Sequence, residues 1–213
     1  MKRFTIVLSC EKYKSRRDSQ DKTNLGDYKY FIGDSSLVTN PICNSKPKED
    51  GDIVYLPCPD TYEALASKVV GAIEWALNNK EFTHILKTDD DVHINKNILD
   101  CDKEAEAYDY SGIVCEGGGG SNYHRGRCVT NYYVNARTEW LGHDLAWCKG
   151  GAYYLSRKAC EAIVQTKSLR YWKILEDVTI AGILKSKQIY PQPLGEGWSV
   201  AGKGTSILKA CRW

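Results

Sequence analysis

The chain has 213 residues, with 29 Lys and Arg against 27 Asp and Glu for a formal net charge of +2, so it lacks the basic excess that binding a phosphate backbone demands. Nucleic acid is excluded as an expected partner, and the length suits one domain, residues 1–213, with a substantial core. Nine cysteines (Cys10, Cys43, Cys58, Cys101, Cys115, Cys128, Cys148, Cys160 and Cys211) form no C-x-x-C pair and are odd in number; this argues against a zinc ribbon or a complete disulfide framework and points to thiols in a reducing compartment.

The N-terminal string MKRFTIVLSCEKYKSRRD holds only about five apolar residues before charge returns, too few for a signal h-region or a membrane span. A cytoplasmic protein with no membrane anchor in this chain is expected. Strand candidates follow at 4–9, 29–33, 52–57, 84–88 and 110–116. Between the third and fourth lies the clearest helix: Asp60 with Glu63 makes a capping-box pattern, and Leu65, Val69, Ala72, Ile73 and Ala76 form an apolar stripe. A strand, helix, strand crossover of this length implies parallel pairing. Residues 117–127, GGGGSNYHRGR, show no apolar periodicity and are expected to form a mobile loop, a lid candidate through residues 117–120, His124, Arg125 and Arg127. A second helix is expected after Ser156, with Ala159, Ala162 and Ile163 inward, and a third from Glu176 to Lys187. Alternating strands and helices predict an α/β layer architecture.

Asp89, Asp90 and Asp91 end the fourth strand, in THILKTDDDVHIN. Carboxylates about 4 Å apart repel by roughly 1 to 4 kcal/mol, so such a run at the end of a buried strand calls for a cation. Extended backbone would turn Asp89 and Asp91 to one side and Asp90 to the other. Hard oxygen donors from one or two carboxylates suit Mg²⁺ or Mn²⁺ held partly by a diphosphate, and the spacing fails the EF-hand pattern. A solvated acidic turn is the plainer alternative. No G-x-G-x-x-G follows the first strand, and GWSVAGKG (197–204) has Gly204 where a phosphate loop needs Ser or Thr. Lys203 in that segment is a candidate for the diphosphate, against a solvated lysine in a turn.

Several blocks stand in a fixed order: FIG (31–33), GDIVYLPCPDTYEALASK (51–68), LKTDDDVHIN (86–95), CKGGAYYLS (148–156) and EDVTIAG (176–182). In these blocks the chain resembles the D-x-D glycosyltransferases of the GT-A fold, most closely the family 31 β-1,3-glycosyltransferase and fringe group. It is also similar to the N-terminal domain of glycosyltransferases from large algal DNA viruses, which implies further domains C-terminal to residue 213.

The resemblance implies a mixed, largely parallel Rossmann-like sheet flanked by helices. It also implies a UDP-sugar donor, a glycan hydroxyl acceptor and Mn²⁺ or Mg²⁺ as cofactor, in glycoprotein glycan synthesis. Asp91 and Asp89 would hold the metal, and Asp89 would also lie near ribose and donor sugar. Ser9, Cys10, Lys68, Thr88, Asp90 and Lys203 fall to the nucleotide side, Lys68 otherwise being a surface lysine at the rim of its helix. Gly150, Gly151 and Trp147 fall to the sugar and acceptor side, the glycines otherwise forming a tight turn. Asp177, with Glu176, matches the catalytic base; helix capping alone would also explain this acidic pair. Tyr123, Trp140, Trp147 and Trp172 lie nearest the cleft in sequence order. The pattern departs from many GT-A enzymes at the late metal-binding histidine, where this chain has Ser199, and it leaves inverting and retaining transfer both open. Two other classes share clustered aspartates or sugar-facing aromatics: a metal-dependent sugar nucleotidyltransferase or phosphohydrolase, and a non-catalytic nucleotide-sugar or glycan binding module.

Overall fold

Runs of β-branched and aromatic residues, mostly buried on both faces, build a central sheet, and helices between and after its strands cover it. The computed structural model describes residues 1–20, 22–39, 45–94, 98–117, 119–129, 132–142, 144–166, 172–195 and 200–202. In chain order the elements are β1 (Arg3–Leu8), α1 (Lys14–Ser19), β2 (Asp27–Gly33), β3 (Lys48–Asp50), β4 (Ile53–Leu56), α2 (Leu65–Asn79), β5 (His84–Asp89), β6 (Val92–Ile94) and α3 (Ile98–Ala105). They continue with β7 (Tyr110–Gly117), β8 (Gly120–Ser121), α4 (Tyr132–Ala136), β9 (Glu139–Trp140), β10 (Leu145–Ser156), α5 (Arg157–Gln165), α6 (Glu176–Lys185), β11 (Gln192–Pro193) and β12 (Val200–Gly202).

Eight strands form one mixed sheet in the order β11-β7-β10-β5-β1-β2-β4-β3. The four strands β5, β1, β2 and β4 run parallel, so Leu8 of β1 stands opposite Asp89 of β5 and opposite Phe31 of β2. β10 lies antiparallel between β5 and β7. The expected α/β fold with a largely parallel sheet is present, and the five predicted strands are β1, β2, β4, β5 and β7.

Two apolar layers sandwich the sheet. On one face Phe4, Ile6, Leu8, Ile85, Tyr153 and Leu155 pack against Val69, Ile73 and Trp75 of α2, Cys160 and Ile163 of α5, and Ile180 and Leu184 of α6. On the other, Leu86, Ala152 and Tyr154 pack against Ile98, Cys101 and Ala105 of α3. Alternation along β5 therefore places Ile85, Lys87 and Asp89 toward the α6 side. No disulfide joins the described cysteines, and no described helix is long and apolar enough to cross a membrane.

Several local expectations are corrected. The capping box does not form: Thr61 and Ala64, which precede the helical turns, make no side-chain cap, and Asp60 is used elsewhere. Its carboxylate accepts from the backbone N–H of Glu11 (2.8 Å) and Gly33 (3.1 Å) and from Lys68 Nζ (2.6 Å). Lys68 also donates to the Ser9 carbonyl at 2.8 Å and is 1% exposed, so it is an interior lysine rather than a rim residue. A buried ammonium and two strand-end donors compete better for Asp60 than a helix N-terminus that water can reach. CKGGAYYLS forms no tight turn: it belongs to the twelve-residue strand β10, whose register with β7 shifts between Cys148 and Tyr153. Residues 119–127 are tied into the fold as well. Gly120 pairs with Trp140 across β8 and β9, and His124 is fully buried with Nε2 2.8 Å from the Val134 carbonyl. The third helix ends at Lys185, two residues early, where Gln188 adopts φ 59° and the Ile189 N–H returns to the Leu184 carbonyl.

Asp60→Ala strands the buried Lys68 charge and should lower the unfolding free energy by about 3–5 kcal/mol in chemical denaturation. His84, mostly buried on β5, has its pKa lowered from 6.5 by burial, so the unfolded chain takes up its proton first. Stability should therefore fall as pH drops below 6.5, and His84→Gln should remove that part of the pH dependence of the thermal midpoint.

Candidate functional site

Parallel strands place their carboxyl ends along one edge of the sheet, where ligands of open α/β folds bind. At that edge Asp89 ends β5, Ser9 and Cys10 follow β1, and the shifted segment of β10 brings Gly150 and Gly151 alongside. α6 starts next to them, so Glu176 and Asp177 face the end of β5.

Lys87 joins these parts. Its ammonium, 1% exposed, donates to Asp89 Oδ1 at 2.8 Å, to Glu176 Oε1 at 2.8 Å and to the Gly150 carbonyl. Tyr153 Oη donates to Glu176 Oε2 at 3.0 Å, and Asp177 accepts from the N–H groups of Gly150 (3.0 Å) and Val178 (2.9 Å). One lysine serves two carboxylates directly and feels a third. Burial pushes the Asp89 carboxyl up to about 6, against the pull of Lys87 and with a further push from Glu176 and Asp91. Burial likewise raises Glu176 and Asp177, with Lys87 opposing both. A carboxylate whose proton affinity is raised in a cleft is suited to general-base work.

Gly150 fits here because its strand meets α6 at close range. A Cβ at this position would lie 3.0 Å from Glu176 Oε1 and 3.1 Å from Asp177 Oδ2. The missing side chain thus makes room for the two carboxylates themselves, a requirement that the expectation of space for a sugar did not include.

The alternation expected along the aspartate run stops with β5. Asp90 and Asp91 lie in the turn after the strand, and Arg16 Nη1 reaches both, Asp91 Oδ2 at 2.9 Å and Asp90 Oδ1 at 3.4 Å. Asp91 therefore sides with Asp90 in facing one cation, while Asp89 turns to Lys87. Asp90 is 6% exposed and accepts from Ser9 Oγ at 2.6 Å; Arg17 Nη1 in turn donates to Ser9 Oγ at 2.9 Å. Asp90 and Ser9 thus lock the turn to the end of β1. Thr88 Oγ1 donates to the Gly151 carbonyl at 3.3 Å, and the Cys10 thiol is held above its ordinary pKa chiefly by burial.

Among the described residues no three His, Cys, Asp or Glu side chains form a ready-made metal cage. Asp89 and Asp91 are hard oxygen donors of the kind a divalent ion takes, although here their side chains turn to different cations. The Asp89 and Asp91 side chains are each 38% exposed and present hard oxygens; among the described residues Asp89, Asp90, Asp91 and Glu176 form ion pairs with Lys87 and Arg16, and Asp177 feels the Lys87 charge. Mg²⁺ and Mn²⁺ accept such a pair and complete their shell with water and phosphate oxygens.

The acceptor-side residues divide. Trp147 is half-buried and packs against the core beneath the helices. Tyr123 is 60% exposed under the Arg127 guanidinium, 3.8 Å from its ring centroid, and Arg127 also reaches to 5.6 Å from the Tyr62 ring. Burial pushes the Tyr62 phenol up to about 12, Arg127 opposing this and the Asp177 charge adding to it. Lys203, Ser199 and His143 lie outside the described residues. The segment before Lys203 is strand: Gly202 stands opposite Val92, directly after the aspartate run.

Lys87, Arg16 and Tyr153 were not singled out from sequence. Lys87 had a signal, since a lysine inside an otherwise apolar strand must find acidic partners or lose its charge. Arg16 had none, because its partners lie 74 and 75 residues away.

A family model described as galactosyltransferase matches residues 28–192, most of the chain, from the second residue of β2 through α6. The chain belongs to the galactosyltransferase family. It is a glycosyltransferase, which implies a nucleotide-sugar donor and a glycan acceptor. No curated protein sequence matches it significantly. Among solved structures it is similar to A197 from STIV (17% identity, TM-score 0.46, 95% of this chain and 85% of that one). It is also similar to a putative glucose-1-phosphate thymidylyltransferase from Bacillus anthracis solved with sucrose (10%, 0.49, 96% and 91%) and to HddC from Yersinia pseudotuberculosis (12%, 0.38, 79% and 81%). These likenesses are too distant to add to the sheet order itself.

Gly150→Ala should lower stability by about 1–3 kcal/mol through overpacking against Glu176 and Asp177. Lys87→Met leaves those buried acids and Asp89 without their cation, and urea denaturation should register a larger loss, about 3–5 kcal/mol.

Proposed function

We propose that this glycosyltransferase moves a sugar from a UDP-sugar to a hydroxyl of an acceptor glycan, with Mn²⁺ or Mg²⁺ as cofactor. The observation that carries the reading is the meeting of the aspartate run and the Glu176–Asp177 pair at one edge of the sheet, joined through Lys87 and the Gly150 carbonyl. Asp91 and Asp89 would hold the ion, which when bound supplies positive charge to the departing diphosphate.

The remaining work falls to the chain. Asp177 is fixed by the backbone N–H groups of Gly150 and Val178, which use one lone pair on each oxygen and leave others for the acceptor proton. Its raised proton affinity favours that transfer. Glu176 also accepts one bond on each oxygen, from Lys87 and Tyr153, but it is 6% exposed and paired with a buried ammonium, so it positions its neighbour rather than taking the proton. Ser9 and Asp90 hold the turn that carries Asp91, while Lys68 braces the end of β1 through the Ser9 carbonyl. Exposed Tyr123 and Trp140 offer flat apolar faces to an acceptor ring.

Calorimetric titration with UDP, GDP and CMP, with and without Mn²⁺, tests the donor and metal together. UDP alone should bind, and only with metal. Asp91→Asn should abolish that binding, whereas Asp177→Asn should retain it and reduce glycoside formation by about 100-fold or more. Full UDP affinity in Asp91→Asn with Mn²⁺ present would overturn the metal assignment, and released sugar phosphate in place of a new glycoside would overturn the transfer reading.

A further inference from the structure

α1 carries two consecutive arginines with different surroundings. Arg17 is 5% exposed and serves the interior, donating to Ser9 Oγ at 2.9 Å and to the Cys10 carbonyl at 2.5 Å. Arg16 stands over the aspartate turn with a side chain 37% exposed, on Asp91 at 2.9 Å and Asp90 at 3.4 Å, and its guanidinium carbon lies 3.7 Å from the Tyr13 ring centroid. Three contacts hold it: a half-exposed ion pair with Asp91, a longer one with the buried Asp90, and the ring face of Tyr13 just before α1. The Asp91 pair and the ring contact are weak enough to exchange.

The Asp91 oxygen that accepts from Arg16 belongs to the carboxylate assigned above to the metal. A guanidinium and a divalent ion on that carboxylate repel each other, so they compete. The chemistry of the two also differs: a guanidinium is permanently charged and presents a planar fork that matches phosphate oxygens, while the ion prefers small hard oxygen donors.

We propose that Arg16 is an exchangeable counter-ion of the aspartate turn: it pairs with Asp91 in the donor-free protein, yields that carboxylate to the divalent cation, and then binds the donor's diphosphate. The inference rests on the donor and metal reading given under Proposed function. Arg16 thereby suppresses metal binding when no donor is present and favours it when the diphosphate arrives. Loading becomes coupled, because each partner removes a cost that the other would face alone.

Calorimetry on the intact protein tests this without any assay of transfer. Mn²⁺ is titrated into wild type, Arg16→Gln and Arg16→Lys in the absence of nucleotide, and UDP is then titrated at saturating Mn²⁺. Arg16→Gln should bind Mn²⁺ alone about fivefold more tightly, the equivalent of one half-exposed ion pair removed. It should bind UDP about tenfold more weakly once the metal is saturating, having lost a charge-assisted contact. Arg16→Lys keeps the charge but not the fork, so its Mn²⁺ affinity should stay near wild type while UDP binding weakens. Far-ultraviolet circular dichroism checks folding; should Arg16→Gln not fold, the lysine variant still tests the diphosphate arm. Unchanged or weaker Mn²⁺ binding by folded Arg16→Gln, or unchanged UDP affinity in Arg16→Lys, overturns the proposal while leaving the donor reading intact. A wild-type protein that binds neither Mn²⁺ nor UDP overturns both.

Discussion

The Lys87 ammonium is the interaction on which the site depends. It lies inside the sheet, away from water, and its charge is tolerable there only because Asp89, Glu176 and the Gly150 carbonyl surround it. Those partners come from the end of β5, the start of α6 and the irregular stretch of β10. A single buried charge thus sets the distance between a parallel strand, an antiparallel strand and a helix. Because three acids share the influence of one lysine, burial leaves each with a raised proton affinity, which suits the base proposed above.

A second charged centre repeats this logic at the other side of the aspartate run. Asp60 collects the backbone of Glu11 and Gly33 and the ammonium of Lys68, and Lys68 passes on to the Ser9 carbonyl. Ser9 then bonds Asp90. The ends of β1 and β2 and the turn after β5 are in this way one connected polar network, with few degrees of freedom left for Asp90. Asp91, one residue further along, is tied among the described residues to the half-exposed Arg16.

Much of the fold is legible in the sequence because it depends on local pattern. Five strands, the helix after Asp60, the helix after Ser156 and the start of α6 at Glu176 all follow from periodicity and short-range signals. β10 escaped that reading: its paired glycines look like a turn, and only Tyr110 and Tyr153 packed edge to face at 5.8 Å, with β5 and β7 on either side, hold the segment as a strand. Asp60 and Glu63 likewise look like a cap in isolation, and a buried lysine eight residues on takes Asp60 away.

For the site, the sequence by itself determined the chemistry available: an acidic run ending a buried strand, an acidic pair opening a helix, glycines between them in the chain, and, through its ordered blocks, a glycosyltransferase family. Tertiary structure decided which of these groups meet. It paired Asp89 with Lys87 and Glu176, turned Asp91 toward Arg16, and made Gly150 a point of contact with Asp177. The reason is physical: residue types and spacing fix local conformation, whereas the sharing of a buried charge depends on groups brought together from 63 and 89 residues away along the chain, a distance at which local pattern carries no information.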